Sequence, residues 1–258
     1  MIEIELLEEA SLNNKLSIVI LAAGKGTRMN SDIPKVLHMV NEKSMLEHVI
    51  SKTTDLNPKK VIIVIGYKSD LVKEHLENYQ LEYALQKEQK GTAHAVMQCK
   101  EKLINFNGDT LILSGDVPLI KTKTLIDLYN AHINQNAQAT ILSAKIKNPH
   151  GYGRILREKK HFHSIIEEKD ADSNQKNINE INAGIYIFNN QVLFENISKI
   201  NNQNKQSEYY LPDIMPIIME NHGKVFVHPI ENEHEIKGAN TLEQLTELER
   251  YAKETKKI

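Results

Sequence analysis

Short runs of apolar, β-branched residues alternate with amphipathic stretches through the first half of the chain, and this alternation constrains the fold more than any other feature. Runs of strand length lie at 17–21, 61–65, 82–85 and 110–113. Between them, 44–56, 69–78, 91–100 and 121–132 carry apolar residues at helical spacing. A parallel strand pair needs a crossover, usually a helix, so this order predicts an α/β fold with a parallel sheet. From residue 139 the rhythm changes. Strands are expected at 139–146, 153–157, 164–168 and 184–188 with little helix between them, which predicts a second, more antiparallel lobe packed on the first. Helices return at 208–220 and 241–256 around a strand at 225–229, and the polar stretch 170–179 reads as a surface loop.

Charge and cysteine content narrow the function. With 32 Lys and Arg against 34 Asp and Glu, the net charge is −2, so there is no basic field of the kind that binds a nucleic-acid polymer. An anionic ligand must be gripped by a local device. The single cysteine, Cys99, cannot form an intrachain disulfide, and no Cys/His cluster has zinc spacing. The first residues are acidic where a targeting peptide would be basic, and no apolar run approaches the roughly 20 residues a membrane span requires. A soluble, cytoplasmic protein without membrane contacts is expected.

The local device is the loop after the first strand, Leu21-Ala22-Ala23-Gly24-Lys25-Gly26-Thr27-Arg28-Met29, continuing to Pro34-Lys35. It lacks the third glycine of a dinucleotide fingerprint, since Met29 stands there, and the spacing of a P-loop. Two glycines with Lys25, Arg28 and Lys35 nearby suit a triphosphate, through bare backbone N–H groups and bidentate or mobile cations. A strand-to-helix turn with solvated Lys and Arg accounts for the glycines equally well.

Three further constellations are candidates. Gln86, followed by Gly91 and Thr92 at a helix start, offers the donor and acceptor that reading a pyrimidine edge requires; a polar turn explains the same residues. Ser114-Gly115-Asp116 follows a buried strand, at the edge where α/β enzymes place ligands, so Asp116 is either a Mg2+ ligand or an Asp in a turn. Gly153, Glu167 and Asn182 belong to polar, glycine-containing segments of the second lobe of the type that binds sugar hydroxyls. Asn240, three residues before Glu243, reads first as a helix cap. The eleven histidines form no catalytic arrangement and receive no role.

The loop motif from Leu21 to Lys35 resembles that of the sugar-phosphate nucleotidyltransferases. Over about 16–256 the chain is most similar to the uridyltransferase domain of the bacterial bifunctional N-acetylglucosamine-1-phosphate uridyltransferase/glucosamine-1-phosphate acetyltransferases. The resemblance implies a Rossmann-like mixed, mostly parallel sheet of the nucleotide-diphospho-sugar transferase type with a smaller sugar-binding lobe. It divides the chain into an extension at 1–15, a nucleotidyltransferase domain at 16–240 and a C-terminal helix at 241–258. Within the domain it implies a nucleotide-binding half at about 16–120 and a sugar-binding half at about 121–240.

The implied reaction transfers UMP from UTP to N-acetylglucosamine 1-phosphate, giving UDP-N-acetylglucosamine and pyrophosphate for cell-wall and lipopolysaccharide precursor synthesis. By the same resemblance Arg28 and Lys35 are catalytic and Asp116 and Asn240 hold Mg2+. The substrates are contacted by Leu21, Ala22, Ala23, Gly24, Lys35, Gln86, Gly91, Thr92, Ser114, Gly115, Asp116, Gly153, Glu167, Asn182 and Asn240. Ser114 stands where the family often has an aromatic residue, and Ala183 where it usually has Thr. Alternatives are another sugar 1-phosphate or base, or a non-catalytic nucleotide-binding module. Because the 258 residues stop on the last helix, neither acetyl transfer nor the trimer built by the family's C-terminal β-helix is expected, which leaves a monomer or weak oligomer.

Overall fold

The computed structural model describes residues 15–29 and 31–255. Apart from Lys15, the expected N-terminal extension lies outside the described residues. In chain order the strands are β1 (Leu16–Leu21), β2 (Met39–Val40), β3 (Lys43–Ser44), β4 (Lys60–Ile65), β5 (Glu82–Leu85), β6 (Asp109–Ser114), β7 (Ala139–Lys145), β8 (Arg154–Glu158), β9 (His161–Ile166), β10 (Glu180–Asn189) and β11 (Val225–Ile230). The helices are α1 (Met45–Thr53), α2 (Ser69–His75), α3 (Thr92–Met97), α4 (Lys100–Leu103), α5 (Thr122–Asn134), α6 (Ser173–Lys176), α7 (Asn190–Asn196), α8 (Ile214–Glu220) and α9 (Leu242–Thr255).

One sheet runs through both halves of the chain, in the order β11-β7-β10-β6-β1-β4-β5, with β8 and β9 added at β10. The pairs β5/β4, β4/β1, β1/β6 and β7/β11 are parallel, while β10 is antiparallel to β6 and β7. This is the expected mostly parallel α/β sheet. The more antiparallel second part is not a separate sheet: β7, β10 and β11 extend the first one.

Alternation along the strands builds a core on each face. Leu16, Ile18 and Ile20 of β1 join Ile63, Ile65, Leu111 and Leu113 beneath α1, α2 and α5. Val19, Ile62, Val64 and Ile112 face the other way, toward α3, α4, α7 and α8. A strand buried on both faces reads as a continuous apolar run, which is why these strands were visible in the sequence. Each fully buried Ile or Leu contributes roughly 1.5–3 kcal/mol. A third, small cluster of Val40, Met45, Ala239, Leu248 and Ala252 docks α9 on the rest of the molecule.

Several elements depart from the sequence reading, each for a local reason. The expected helix at 91–100 breaks into α3 and α4 because the Gln98 side chain donates to the His94 carbonyl (2.8 Å), and its own N–H turns to Ala95 (3.2 Å). The expected helix at 208–220 begins only at Ile214, after a 3-10 turn over Leu211–Asp213. Upstream of that turn, the Tyr209 backbone is engaged by Lys90 and Ala93. The polar stretch 170–179 holds α6, started by a capping box between Asp172 and Gln175. The strand expected at 184–188 begins four residues earlier, at Glu180, and α7 follows it, capped by the Asn189 side chain.

Asn190, fully buried, ties α7 to the rest. Its Oδ1 accepts from Thr110 (2.8 Å), and its Nδ2 donates to the carbonyls of Leu103 (2.7 Å) and Phe106 (2.8 Å). Asn190→Ala strands all three partners in the interior and is expected to cost about 3 kcal/mol. The check is the urea midpoint at unchanged m-value; a loss under about 1 kcal/mol would show that these bonds are replaced on mutation.

Candidate active site

The strands β1, β4 and β6 end together at one edge of the sheet, and the first cluster forms there. The Gly115 N–H donates to the Leu21 carbonyl and the Ala22 N–H to that of Val64, both at 2.9 Å, which locks the start of the glycine loop to its neighbours. Ala22 and Ala23 are buried. Gly24 is exposed, and a Cβ added to it would meet nothing within 4 Å, so packing within the chain does not call for glycine there. Gly26 is different: its φ is +61°, and a Cβ would lie 2.5 Å from Cβ of Lys35, so the loop folds directly onto that lysine.

Lys35 is the centre of the cluster. Its ammonium forms an ion pair with Asp116 and donates to Asn240 Oδ1 at 3.0 Å. Three segments distant in sequence therefore point oxygen and nitrogen at one place. The cap expected at Asn240 sits one residue later: Thr241 Oγ1 accepts from the Gln244 N–H (3.3 Å), and Gln244 Oε1 accepts from the Asn240 N–H (2.7 Å). The Asn240 side chain is left for Lys35. Gly238 packs against Asp116, a Cβ there falling 2.9 Å from the Asp116 carbonyl oxygen.

The donor set also fits a hard divalent cation. One carboxylate and one amide oxygen converge within bonding distance of a common positive centre, the Lys35 ammonium. Mg2+ takes one or two such protein oxygens and completes its shell with phosphate and water. Among the described residues no group of three or more His, Cys, Asp or Glu is placed to hold a metal ion.

A cleft of about 280 Å³ runs from this cluster past Leu21, Ala22, Ala23, Gly24 and Ser114 to Gln86, Gly91 and Thr92. Gln86 is buried; its Nε2 donates to the Gly91 carbonyl and to Nδ1 of His94, both at 3.1 Å. With the nitrogen so committed, Oε1 is the atom left to accept. Gly91 has φ +107°, and a Cβ would strike the Tyr209 backbone at 2.5 Å. Thr92 Oγ1 accepts from the Leu211 N–H (2.9 Å).

The third group lies across β6. Gly184 of β10 is level with Ser114, 3.5 Å from Cβ position to Oγ. A register shift between Asn182 and Tyr186 bends β10 at this point. Asn182 donates through Nδ2 to the Tyr186 hydroxyl (2.6 Å) and through its backbone N–H to the Gly153 carbonyl (2.9 Å). A Cβ on Gly153 would lie 3.1 Å from Glu167 Oε1. The structure thus brings Gly153, Glu167 and Asn182 together in one group. Arg28 is not brought in: it is exposed on the 3-10 turn Thr27–Met29, outside the cleft lining, as is Lys25.

The nucleotidyl transferase family model matches residues 17–233, which spans β1 to the segment just before α9. The chain belongs to the nucleotidyl transferase family. It is 46% identical over 223 residues to the bifunctional protein GlmU of Streptococcus uberis, covering 86% of this chain and 48% of that one. To GlmU of Staphylococcus saprophyticus it is 47% identical over 233 residues, covering 90% and 51%. The chain spans about half the length of these curated relatives. A solved structure from Bacillus anthracis, described as a glucose-1-phosphate thymidylyltransferase, superposes with a TM-score of 0.71 at 18% identity, covering 92% of this chain and 95% of that one; it shares the fold.

In this nucleotidyl transferase the cleft is also lined by Val36, Gln89, Ala95 and Glu208, which sequence reasoning missed. Gln89 sits in the same turn as Gln86 and could have been flagged by it. Nothing local marks Glu208, which is brought in by the pairing of Tyr209 with residues 90–93. No described helix is long and apolar enough to cross a membrane.

Burial, then the charges of Asp213 and Asp170, push the Glu167 carboxyl up to about 7. A folded-state value above the ordinary 4.5 means the native protein holds a proton that the unfolded chain releases, so stability falls as pH rises from about 4.5 through about 7. Glu167→Gln is expected to flatten that slope and to be more stable than wild type above pH 7. Urea unfolding across this range tests it; an unchanged slope in the variant would clear Glu167 of the effect.

Proposed function

We propose that the chain transfers UMP from UTP to N-acetylglucosamine 1-phosphate, releasing pyrophosphate and forming UDP-N-acetylglucosamine, a precursor of cell-wall polymers. The observation that carries this reading is the meeting of Lys35, Asp116 and Asn240 between two separate recognition groups, Gln86/Gly91/Thr92 and Gly153/Glu167/Asn182.

The nucleotide lies along the glycine loop, where the open face of Gly24 admits phosphate oxygens close to the backbone. The uracil edge meets Gln86, whose Oε1 accepts from the ring N–H, with Gly91 and Thr92 closing the base site. The sugar hydroxyls and acetamido group are held by Glu167, Asn182 and the Gly153 backbone. A phosphate oxygen of the acceptor attacks the α-phosphorus as the bond to the β-phosphate oxygen breaks, and pyrophosphate leaves with that electron pair. The second pKa of a phosphate monoester is about 6, so the nucleophile is already ionised at neutral pH and no general base is needed.

The barrier is electrostatic, because two anions must meet and charge must move onto the leaving group. Asp116 and Asn240 would hold Mg2+, which supplies positive charge against the phosphate oxygens. Lys35 then turns from its two oxygen partners to the triphosphate. Arg28, exposed on its turn, folds over the β- and γ-phosphates once nucleotide is bound.

Pyrophosphate release from each nucleoside triphosphate paired with each of several sugar 1-phosphates tests the assignment. UTP with N-acetylglucosamine 1-phosphate should give the highest kcat/KM; preference for dTTP or for glucose 1-phosphate would reassign the base or the sugar. Arg28→Ala is expected to slow turnover by roughly 10²–10³-fold, as when a charge-stabilising donor is lost elsewhere. Near wild-type turnover would take Arg28 out of the mechanism. Asp116→Ala should remove Mg2+-dependent turnover while the far-UV circular dichroism stays native, and a folded, active variant would put the metal elsewhere.

A further inference from the structure

Arg154 takes no part in the chemistry above, yet among the described residues it is the largest wholly buried side chain, 1% exposed. A buried cation survives only if it is paired and hydrogen-bonded. Its guanidinium donates to the carbonyls of Tyr152 and of Lys176 (3.1 Å for the latter) and forms an ion pair with Glu168 at 2.7 Å. These partners belong to three segments: the turn before β8, the end of α6 and the residue after Glu167. The backbone of Arg154 is in register with Ile166 on β9 and with Ile181 on β10, the residues immediately before Glu167 and Asn182. Gly153 precedes Arg154 itself. Each of the three residues assigned to the acceptor is therefore next to Arg154 or next to its strand partner.

We propose that Arg154 is the positioning residue of the acceptor site: by clamping the 152 turn, α6 and Glu168 together it holds Gly153, Glu167 and Asn182 in one arrangement and sets affinity for the sugar 1-phosphate without touching it. This rests on the reading of those three residues as the acceptor site. The planar fork of an arginine can reach two carbonyls and a carboxylate at once, whereas a lysine has a single nitrogen for all three. The charge acts in the same direction. Glu167 is surrounded by Asp213, Asp170 and Glu208, and Arg154 is the cation among the groups acting on it. The nucleotide end is not tied to Arg154: Gln86 donates to His94 and to the Gly91 carbonyl, Gly91 packs against the Tyr209 backbone, and Thr92 accepts from Leu211.

The test is steady-state kinetics of Arg154→Lys and Glu168→Gln in the full chain, with folding checked by thermal unfolding. For Arg154→Lys the KM for the sugar 1-phosphate should rise roughly tenfold or more while the KM for UTP stays within about twofold and kcat within about threefold. Glu168→Gln, which removes the ion pair and keeps an acceptor, should raise the same KM by roughly threefold. If Arg154→Lys does not fold, Glu168→Gln decides. An unchanged acceptor KM in the folded variants, or a parallel rise in both KM values, would overturn the proposal. Wild-type protein that turns over no sugar 1-phosphate would overturn the acceptor reading and this proposal together, whereas an active wild type with indifferent variants overturns this proposal alone.

Discussion

Along the seven-strand path β11-β7-β10-β6-β1-β4-β5 only β10 is reversed, and that reversal makes the site possible. In a sheet built only from parallel strands, the ligand edge receives strand C-termini and the loops that follow them. Here β10 enters from that edge, so its first residue, Glu180, lies opposite Lys145 at the end of β7, and its pairing with β6 starts further along, at Tyr186 opposite Ile112. The bend between Asn182 and Tyr186 then brings Gly184 level with Ser114. The hairpin of β8 and β9 attaches to the same end of β10 and carries Gly153 and Glu167 with it. Without the reversal, the glycine loop and the group around Glu167 would have no common border.

The electrostatics at that border are a balance between opposite needs. The chain is close to neutral overall, and the glycine loop gathers Lys25, Arg28 and Lys35 within eleven residues. Lys35 is meanwhile held by Asp116 and Asn240, which keeps a half-buried ammonium satisfied and in place. On the other side of β6, burial first and then the charges of neighbouring carboxylates push Glu167 toward its neutral form. The two groups thus differ in charge: one presents cations beside a glycine loop, and the other holds a carboxyl close to neutral.

Much of this was legible in the residues. The buried strands β1, β4 and β6 announce themselves because both their faces are apolar, and the glycine loop because few local structures need small residues and cations together. The contributions that depend on distant partners were not legible. Asn240 and Glu243 have the spacing of a capping box, yet the helix is capped at Thr241; the choice reflects a bond to Lys35, 205 positions away. The length of α3 turns on one side-chain amide, Gln98, competing for a carbonyl. Glu208 reaches the cleft only because Tyr209 pairs with a turn more than a hundred residues upstream.

The contact between Lys35 and Asn240 also has a kinetic meaning. It closes a loop of 205 residues, around another of 81 to Asp116, so forming it carries a larger loop-closure entropy than any contact within the first half of the sheet. During synthesis the chain can assemble β1, β4, β5 and β6 and expose a finished glycine loop long before Asn240 emerges. Asn240 therefore joins Lys35 and Asp116 only when the segment before α9, which the small apolar cluster docks, lies against the sheet.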